Sequence, residues 1–129
     1  MNALQPGVLA PVPAVARYLT FSLDPRANPR RSLSALAAIV DGESCVAGIG
    51  ESVLCTLGKS IQGMRSFPSY SGKGFEVPST PAALWCWLRG NDRGDLLYQG
   101  RAIEAALGPA FLLEDAIDAF RHGSGRDLT

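Results

Sequence analysis

The side chains able to carry chemistry in this chain are few. His122 is the only histidine, so axial haem ligation, zinc binding and Ser-His-Asp catalysis all compete for one imidazole. It stands in Arg121-His122-Gly123-Ser124-Gly125, where a strand gives way to a glycine-rich turn, and reads as a solvated turn residue. Cys45, Cys55 and Cys86 are odd in number and form no Cys-x-x-Cys or Cys-x-x-Cys-His. The ligand spacing of a structural zinc or a covalent haem is therefore missing. Reduced thiols packed as small hydrophobes, as in a cytosolic protein, are the better reading. Glu114, Asp115 and Asp118 make an acidic run that has the composition of a carboxylate or metal site. On an element edge such a run is more often a solvated face.

Two glycine groups raise phosphate chemistry and fail it. Gly48-Ile49-Gly50 follows a strand and precedes a helix, as a dinucleotide fingerprint does, but Val53 stands where the third glycine belongs. No parallel βαβ repeat surrounds it, so a tight strand-to-helix turn suffices. Gly72-Lys73-Gly74 has neither P-loop spacing nor the following Ser or Thr, and reads as a flexible loop tip. No catalytic, cofactor-binding or metal-ligating residue is assigned from the residues alone.

The elements that would position these groups follow from periodicity. A chain of 129 residues suits one domain with a real core. Its 12 basic and 12 acidic side chains balance, which disfavours a nucleic-acid partner. No run reaches the ~18 apolar residues of a membrane span. Met1-Asn2-Ala3-Leu4-Gln5-Pro6 lacks the basic start and apolar core of a secretory signal, so a cytoplasmic location is expected. Pro6, Gly7, Pro11 and Pro13 make residues 1–14 an extended arm. Val15 to Leu23 alternates as a half-buried strand, and Leu33, Leu36, Ala37 and Val40 mark an amphipathic helix ending at Asp41-Gly42. Cys45–Ile49 is a second strand and Glu51–Leu57 a short helix.

Residues 61–81 form a long irregular stretch, of the kind that is usually functional or packed against something. Ala82–Arg89 is the third strand. Asn91 or Asp92 caps a helix in which Leu96, Gly100, Ile103 and Leu107 share a face. Gly100 costs such a helix ~1 kcal/mol against alanine, which a close approach to the sheet would explain. Residues 110–121 fit a strand or a helix by periodicity; the preceding order of elements selects a strand. The result is βαββαβ, an α+β ferredoxin-like fold over residues 15–122, with a four-stranded antiparallel sheet and helices on one face. Residues 123–129 read as a linker.

The third strand then poses a problem. Ala83, Trp85 and Trp87 point one way, and Ala82, Leu84, Cys86 and Leu88 the other. A sheet covered on one side should alternate apolar with polar, yet both sets here are apolar. The helix-free face must also be buried, by a second copy of the chain or by a second half of the same polypeptide. Folding of the 61–81 loop over it is the weaker alternative.

Several stretches in order resemble the dye-decolorising (DyP-type) haem peroxidase family. They are Gln5-Pro6-Gly7-Val8-Leu9 with Arg17-Tyr18-Leu19; Asp41-Gly42; Gly63-Met64-Arg65-Ser66-Phe67-Pro68; Pro78 to Gly90 with Asp92-Arg93-Gly94; and Phe120-Arg121 with Gly125-Arg126-Asp127-Leu128-Thr129. The resemblance implies one half of a two-half α+β barrel whose ferredoxin-like sheets pack together, with haem b in the whole protein. The family's distal aspartate lies in a Gly-x-x-Asp-Gly motif that directly follows a segment like Arg126–Thr129. Its proximal histidine and distal arginine belong to the second half. Asp127 precedes the motif and His122 does not match the proximal ligand, so the resemblance assigns no catalytic residue here.

Two functions are consistent with this reading. One is the N-terminal half of a DyP-type peroxidase, structural and oligomerising in role, without haem of its own and inactive alone. The other is a standalone, non-catalytic ferredoxin-like module that dimerises through its exposed sheet face. The expected partners are the second half or a second copy of the chain.

Overall fold

The structure, a computed structural model, describes residues 4–128. Met1–Ala3 of the expected arm and Thr129 of the expected linker lie outside the described residues. The elements in chain order are β1 (Val15–Leu23), α1 (Arg30–Ala37), β2 (Cys45–Ile49), α2 (Glu51–Thr56), β3 (Tyr70–Gly72), β4 (Phe75–Val77), β5 (Leu84–Gly90), α3 (Arg93–Leu107) and β6 (Phe111–Phe120). The main sheet runs β2-β5-β1-β6, all pairs antiparallel. With β3 and β4 set aside as an insertion, this is the ferredoxin-like order, and α1 and α3 cover one sheet face.

That covered face holds the core. Leu19 and Phe21 of β1, Cys86 and Leu88 of β5, and Cys45 of β2 meet Leu36 of α1 and Ile103 and Leu107 of α3. The packing follows the strand register: Leu19 stands opposite Cys86 and Phe21 opposite Leu84, so one face of each strand carries the apolar set. Asp92 caps α3, its carboxylate accepting from Asp95 N–H at 3.1 Å. Gly100 turns toward Arg17 and Leu19, where an added Cβ would stand 3.4 Å from Arg17 Nε and 3.5 Å from Leu19 Cδ1. The helix does approach the sheet closely there, but a methyl group fits.

Segment 111–120 is a strand. It pairs with β1 from Val15↔Phe120 to Leu23↔Phe111, with a bulge at Thr20/Phe21 that leaves Glu114 unpaired in the ladder. Several boundaries and one element differ from expectation. α1 stops at Ala37, because the Asp41 carboxylate gathers the N–H groups of Glu43 and Cys45, both at 2.9 Å, into a turn of its own. β5 starts at Leu84; the Ala83 carbonyl already accepts from Gly50 N–H at 2.7 Å. The stretch read as irregular contains the β3–β4 hairpin, closed by Lys73-Gly74 with Gly74 at φ 84°. The arm is not extended throughout. Pro6–Val8 form a 3-10 turn, and the Gln5 side-chain amide bonds both the N–H (2.9 Å) and the carbonyl (2.8 Å) of Ala47 on the outer edge of β2.

Candidate interaction face and cleft

The helix-free face is where side chains without a structural partner gather. Strand alternation places Thr20 and Tyr18 of β1, Trp85 and Trp87 of β5, and Asp115 and Ile117 of β6 on it, in register as Asp115–Thr20–Trp85 and Ile117–Tyr18–Trp87. The three aromatic rings pack on one another. Tyr18 stacks on Trp85 at 5.7 Å and on Trp87 at 6.1 Å, and the two indoles tilt together at 6.2 Å. All three remain only half-buried. Ile117 and Leu112 of β6, on the same face, are exposed. The loop 61–80 does not cover this ridge. Every one of its residues is exposed except half-buried Met64, and the loop instead carries exposed Phe67, Tyr70 and Phe75 of its own.

The arm protects one corner of the face. Arg89, 9% exposed, lies with its guanidinium carbon 4.3 Å from the Trp87 ring centre and donates from Nη2 to the Pro11 carbonyl. Arg121 holds the next arm carbonyl, that of Val12, at 2.9 Å. Arg89 Nη1 and Trp87 Nε1 are buried there without an acceptor among the described residues.

At the other end of the ridge lies a cleft of about 430 Å³, between the end of β1, α2 and residues 80–83. Its polar walls are the hydroxyls of Thr20, Ser22, Ser52, Thr56, Ser66 and Thr80, with the carboxylates of Glu51 and Glu114. Glu51 Oε2 accepts from Ser66 N–H (2.7 Å) and Oγ (2.9 Å), rooting the long loop, and Glu114 Oε1 accepts from Ser22 Oγ at 2.6 Å. Periodicity did not reveal the cleft, because its walls come from segments far apart in the chain. The β6 bulge that frees Glu114 has no sequence signature either.

The residues singled out from sequence fall as follows. His122 is exposed in a turn, its carbonyl accepting from the N–H groups of Gly125 (2.9 Å) and Arg126 (3.1 Å), and it does not line the cleft. Gly48-Ile49-Gly50 is a tight turn into a helix of only six residues. At Gly50 an added Cβ would stand 1.9 Å from the Ala82 carbonyl oxygen. Gly72-Lys73-Gly74 is the hairpin turn. The acidic run divides: Asp118 faces the helix side and pairs with Arg17 at 2.7 Å and Arg93 at 3.0 Å, whereas Asp115 faces the opposite side and makes no ion pair among the described residues. The hydrogen bond from Arg17 holds the Asp118 carboxyl below its ordinary value, and Arg93 adds to this. Cys45 and Cys86 are both buried on the covered face. The hydrogen bond shared with Cys45, and then burial, push the Cys86 thiol far up, so it stays protonated. Cys55 is exposed.

Haem iron needs a ligand held in a dry cavity with its second ring nitrogen oriented. The one imidazole here is exposed in a turn, so the described residues do not by themselves supply a buried, oriented histidine ligand for haem.

No protein-family profile matches the sequence, and no curated protein does. Solved structures do. DyPB from Rhodococcus jostii is 24% identical and matches over 98% of this chain and 46% of its own, with a TM-score of 0.78. A variant of the same protein in complex with heme is 26% identical over 98% and 45%, also at 0.78. The encapsulated DyP-type peroxidase from Mycobacterium smegmatis is 23% identical over 94% and 43%, at 0.80. The chain has the fold of one ferredoxin-like half of these proteins and spans less than half of their length.

Proposed function

We infer that this chain is the N-terminal half of a DyP-type haem peroxidase. In the whole protein, haem supplies peroxide-driven oxidation of dyes or phenolic compounds. The role of this half is structural: it presents the Tyr18–Trp85–Trp87 ridge to a second ferredoxin-like layer and contributes surface to an oligomer. One observation carries the reading. Nearly all of the chain is matched by somewhat under half of each peroxidase structure, while its own sheet is apolar on the face its helices leave bare. A second layer of similar size answers both. A second layer would bury what this chain leaves exposed of two indoles and a phenol, each offering ~150–250 Å² when fully buried.

The test is to read the coding sequence beyond Thr129 and to express the longer product. A second segment of similar length, opening on Gly-x-x-Asp-Gly, with stoichiometric haem and peroxide-dependent dye oxidation, is the expected result. A stop codon directly after Thr129, or a longer product without haem, overturns the reading. In the first case the standalone dimerising module takes its place, since the bare face then has only a second copy to meet.

A further inference from the structure

Arg89 is a buried cation without a counter-charge. It is 9% exposed and makes no ion pair among the described residues. It stands opposite Ala16 in the ladder, on the helix-free side with Trp85 and Trp87, and its guanidinium lies over the Trp87 ring. Nη2 reaches only a neutral acceptor, the Pro11 carbonyl. Nη1 and the indole Nε1 of Trp87 are buried donors with no acceptor among the described residues. A buried charge is costly unless paired, and a buried donor unless bonded. The acids that line the cavity of about 330 Å³ beside Arg89 do not answer this need. Asp41 spends its carboxylate on its own turn, Oδ1 on the N–H groups of Glu43 and Cys45 and Oδ2 on Ser44 Oγ. Glu43 is exposed and makes no ion pair among the described residues.

We propose that an aspartate or glutamate of the polypeptide layer that covers the helix-free face is the counter-charge of Arg89, its carboxylate accepting from Arg89 Nη1 and Trp87 Nε1. The proposal rests on the two-layer reading above and adds the chemistry of one contact. Two orphaned donors call for an acceptor, and a carboxylate is the protein acceptor that also brings the missing charge. The place suits a contact between layers. Trp87 belongs to the aromatic ridge, and Arg89 is the next residue on that side of β5, so the acid enters where the ridge meets the arm. The arm closes this corner and is the part able to give way. Leu9 and Val12 stay exposed on it, and Pro11 and Pro13 offer no N–H to the sheet. Arg89 and Arg121 hold it there by the carbonyls of Pro11 and Val12. A carboxylate on Arg89 replaces the first of these bonds with a stronger one.

The experiment uses the 129-residue chain with two small probes at matched ionic strength, acetate and its neutral isostere acetamide. Binding is followed by NMR at the Trp87 indole N–H, whose resonance is assigned with Trp85→Phe. Acetate should shift that resonance, saturate one site and bind at least about tenfold more tightly than acetamide, as a charge-assisted contact should. In Arg89→Gln the two probes should become equal. Arg89→Lys keeps the charge and loses the planar fork, so it should weaken the preference without abolishing it, and it serves if Arg89→Gln fails to fold. Equal binding of both probes to the wild-type chain overturns the proposal, as does a preference that survives Arg89→Gln undiminished. Acetate binding that appears only in Glu43→Gln assigns the counter-charge to this chain itself. Acetate binding that appears only in Asp115→Asn assigns it to a second copy, since Asp115 lies on the same face. Either result also overturns the proposal. Failure of the two-layer reading shows separately, in the haem content of the longer product. An acetate preference with no haem there keeps the acidic contact and removes the peroxidase, and haem without the preference does the reverse.

Discussion

Gly50 has no room for a side chain. An added Cβ would stand 1.9 Å from the Ala82 carbonyl oxygen, which is backbone and cannot swing aside. Gly50→Ala should therefore cost about 2 kcal/mol or more, within the range of overpacked sites, read as a lower urea midpoint at unchanged slope. Gly100 gives the opposite result. Its neighbours stand 3.4 Å or more from an added Cβ, so Gly100→Ala keeps the fold and recovers up to ~1 kcal/mol of helix propensity. A loss above 1 kcal/mol would show that Arg17 and Leu19 cannot accept even contact. At Asp118 the effect depends on pH. Its folded pKa is lowered by Arg17 and then Arg93, so its contribution is complete above the unfolded value near ~3.9 and disappears as pH falls through the lowered one. Asp118→Asn should cost about 0.5–1 kcal/mol at pH 7, the range of exposed pairs, and progressively less as pH falls through the lowered value. A cost that does not change with pH below the unfolded value would show that shape rather than charge is what Asp118 supplies.

At the scale of elements, the outer edge of β2 depends on one side chain. Gln5 closes Ala47 N–H and C=O as a ladder rung would, which blunts an otherwise free edge. Gln5→Ala should cost about 1–2 kcal/mol and speed amide exchange at Ala47 while the amides of β1 stay protected; unchanged exchange there would rule the rung out. The sequence could not reveal that contact, since nothing local links Gln5 to Ala47. It did reveal the strands whose two periods are clear. Val15–Leu23 alternates along its whole length, and the apolar residues on both faces of β5 mark Trp85 and Trp87 as side chains that need cover. Residues 111–120 needed the order of the other elements, because Leu112, Leu113, Ala116, Ile117 and Phe120 suit a helix while Phe111, Leu113 and Ile117 suit one strand face. The hairpin was illegible for another reason. Strands of three residues carry no period, and Gly72-Lys73-Gly74 reads equally as a tip or a loop. The cleft depends on a bulge and on pairings between distant segments, so only its members, not their meeting, are present in the chain.

At the scale of the whole molecule, a sheet with both faces apolar and helices on one should not leave the chain a clean monomer. Tyr18, Trp85 and Trp87 are half-buried with no covering element among the described residues, and Ile117 and Leu112 extend the patch to the β6 edge. Light scattering should give a mass above the monomer at high micromolar concentration, and a monomer mass there would mean that the ridge is stable in water. The same architecture sets an expectation for haem. A peroxidase site needs an iron ligand fixed by its surroundings and an acid and a cation within reach of peroxide. His122 sits between a strand end and Gly123 and Gly125, both at positive φ, in an exposed turn where no described residue hydrogen-bonds its ring. The chain alone should therefore lack specific haem and peroxide turnover. Haem adsorbed to the apolar ridge would still change absorbance, so the comparison that decides is between the chain and His122→Ala after reconstitution. Equal spectra and dye oxidation no faster than free haem are expected. A stoichiometric Soret band lost in His122→Ala, with activity above free haem, would make His122 an iron ligand and this half a catalyst in its own right.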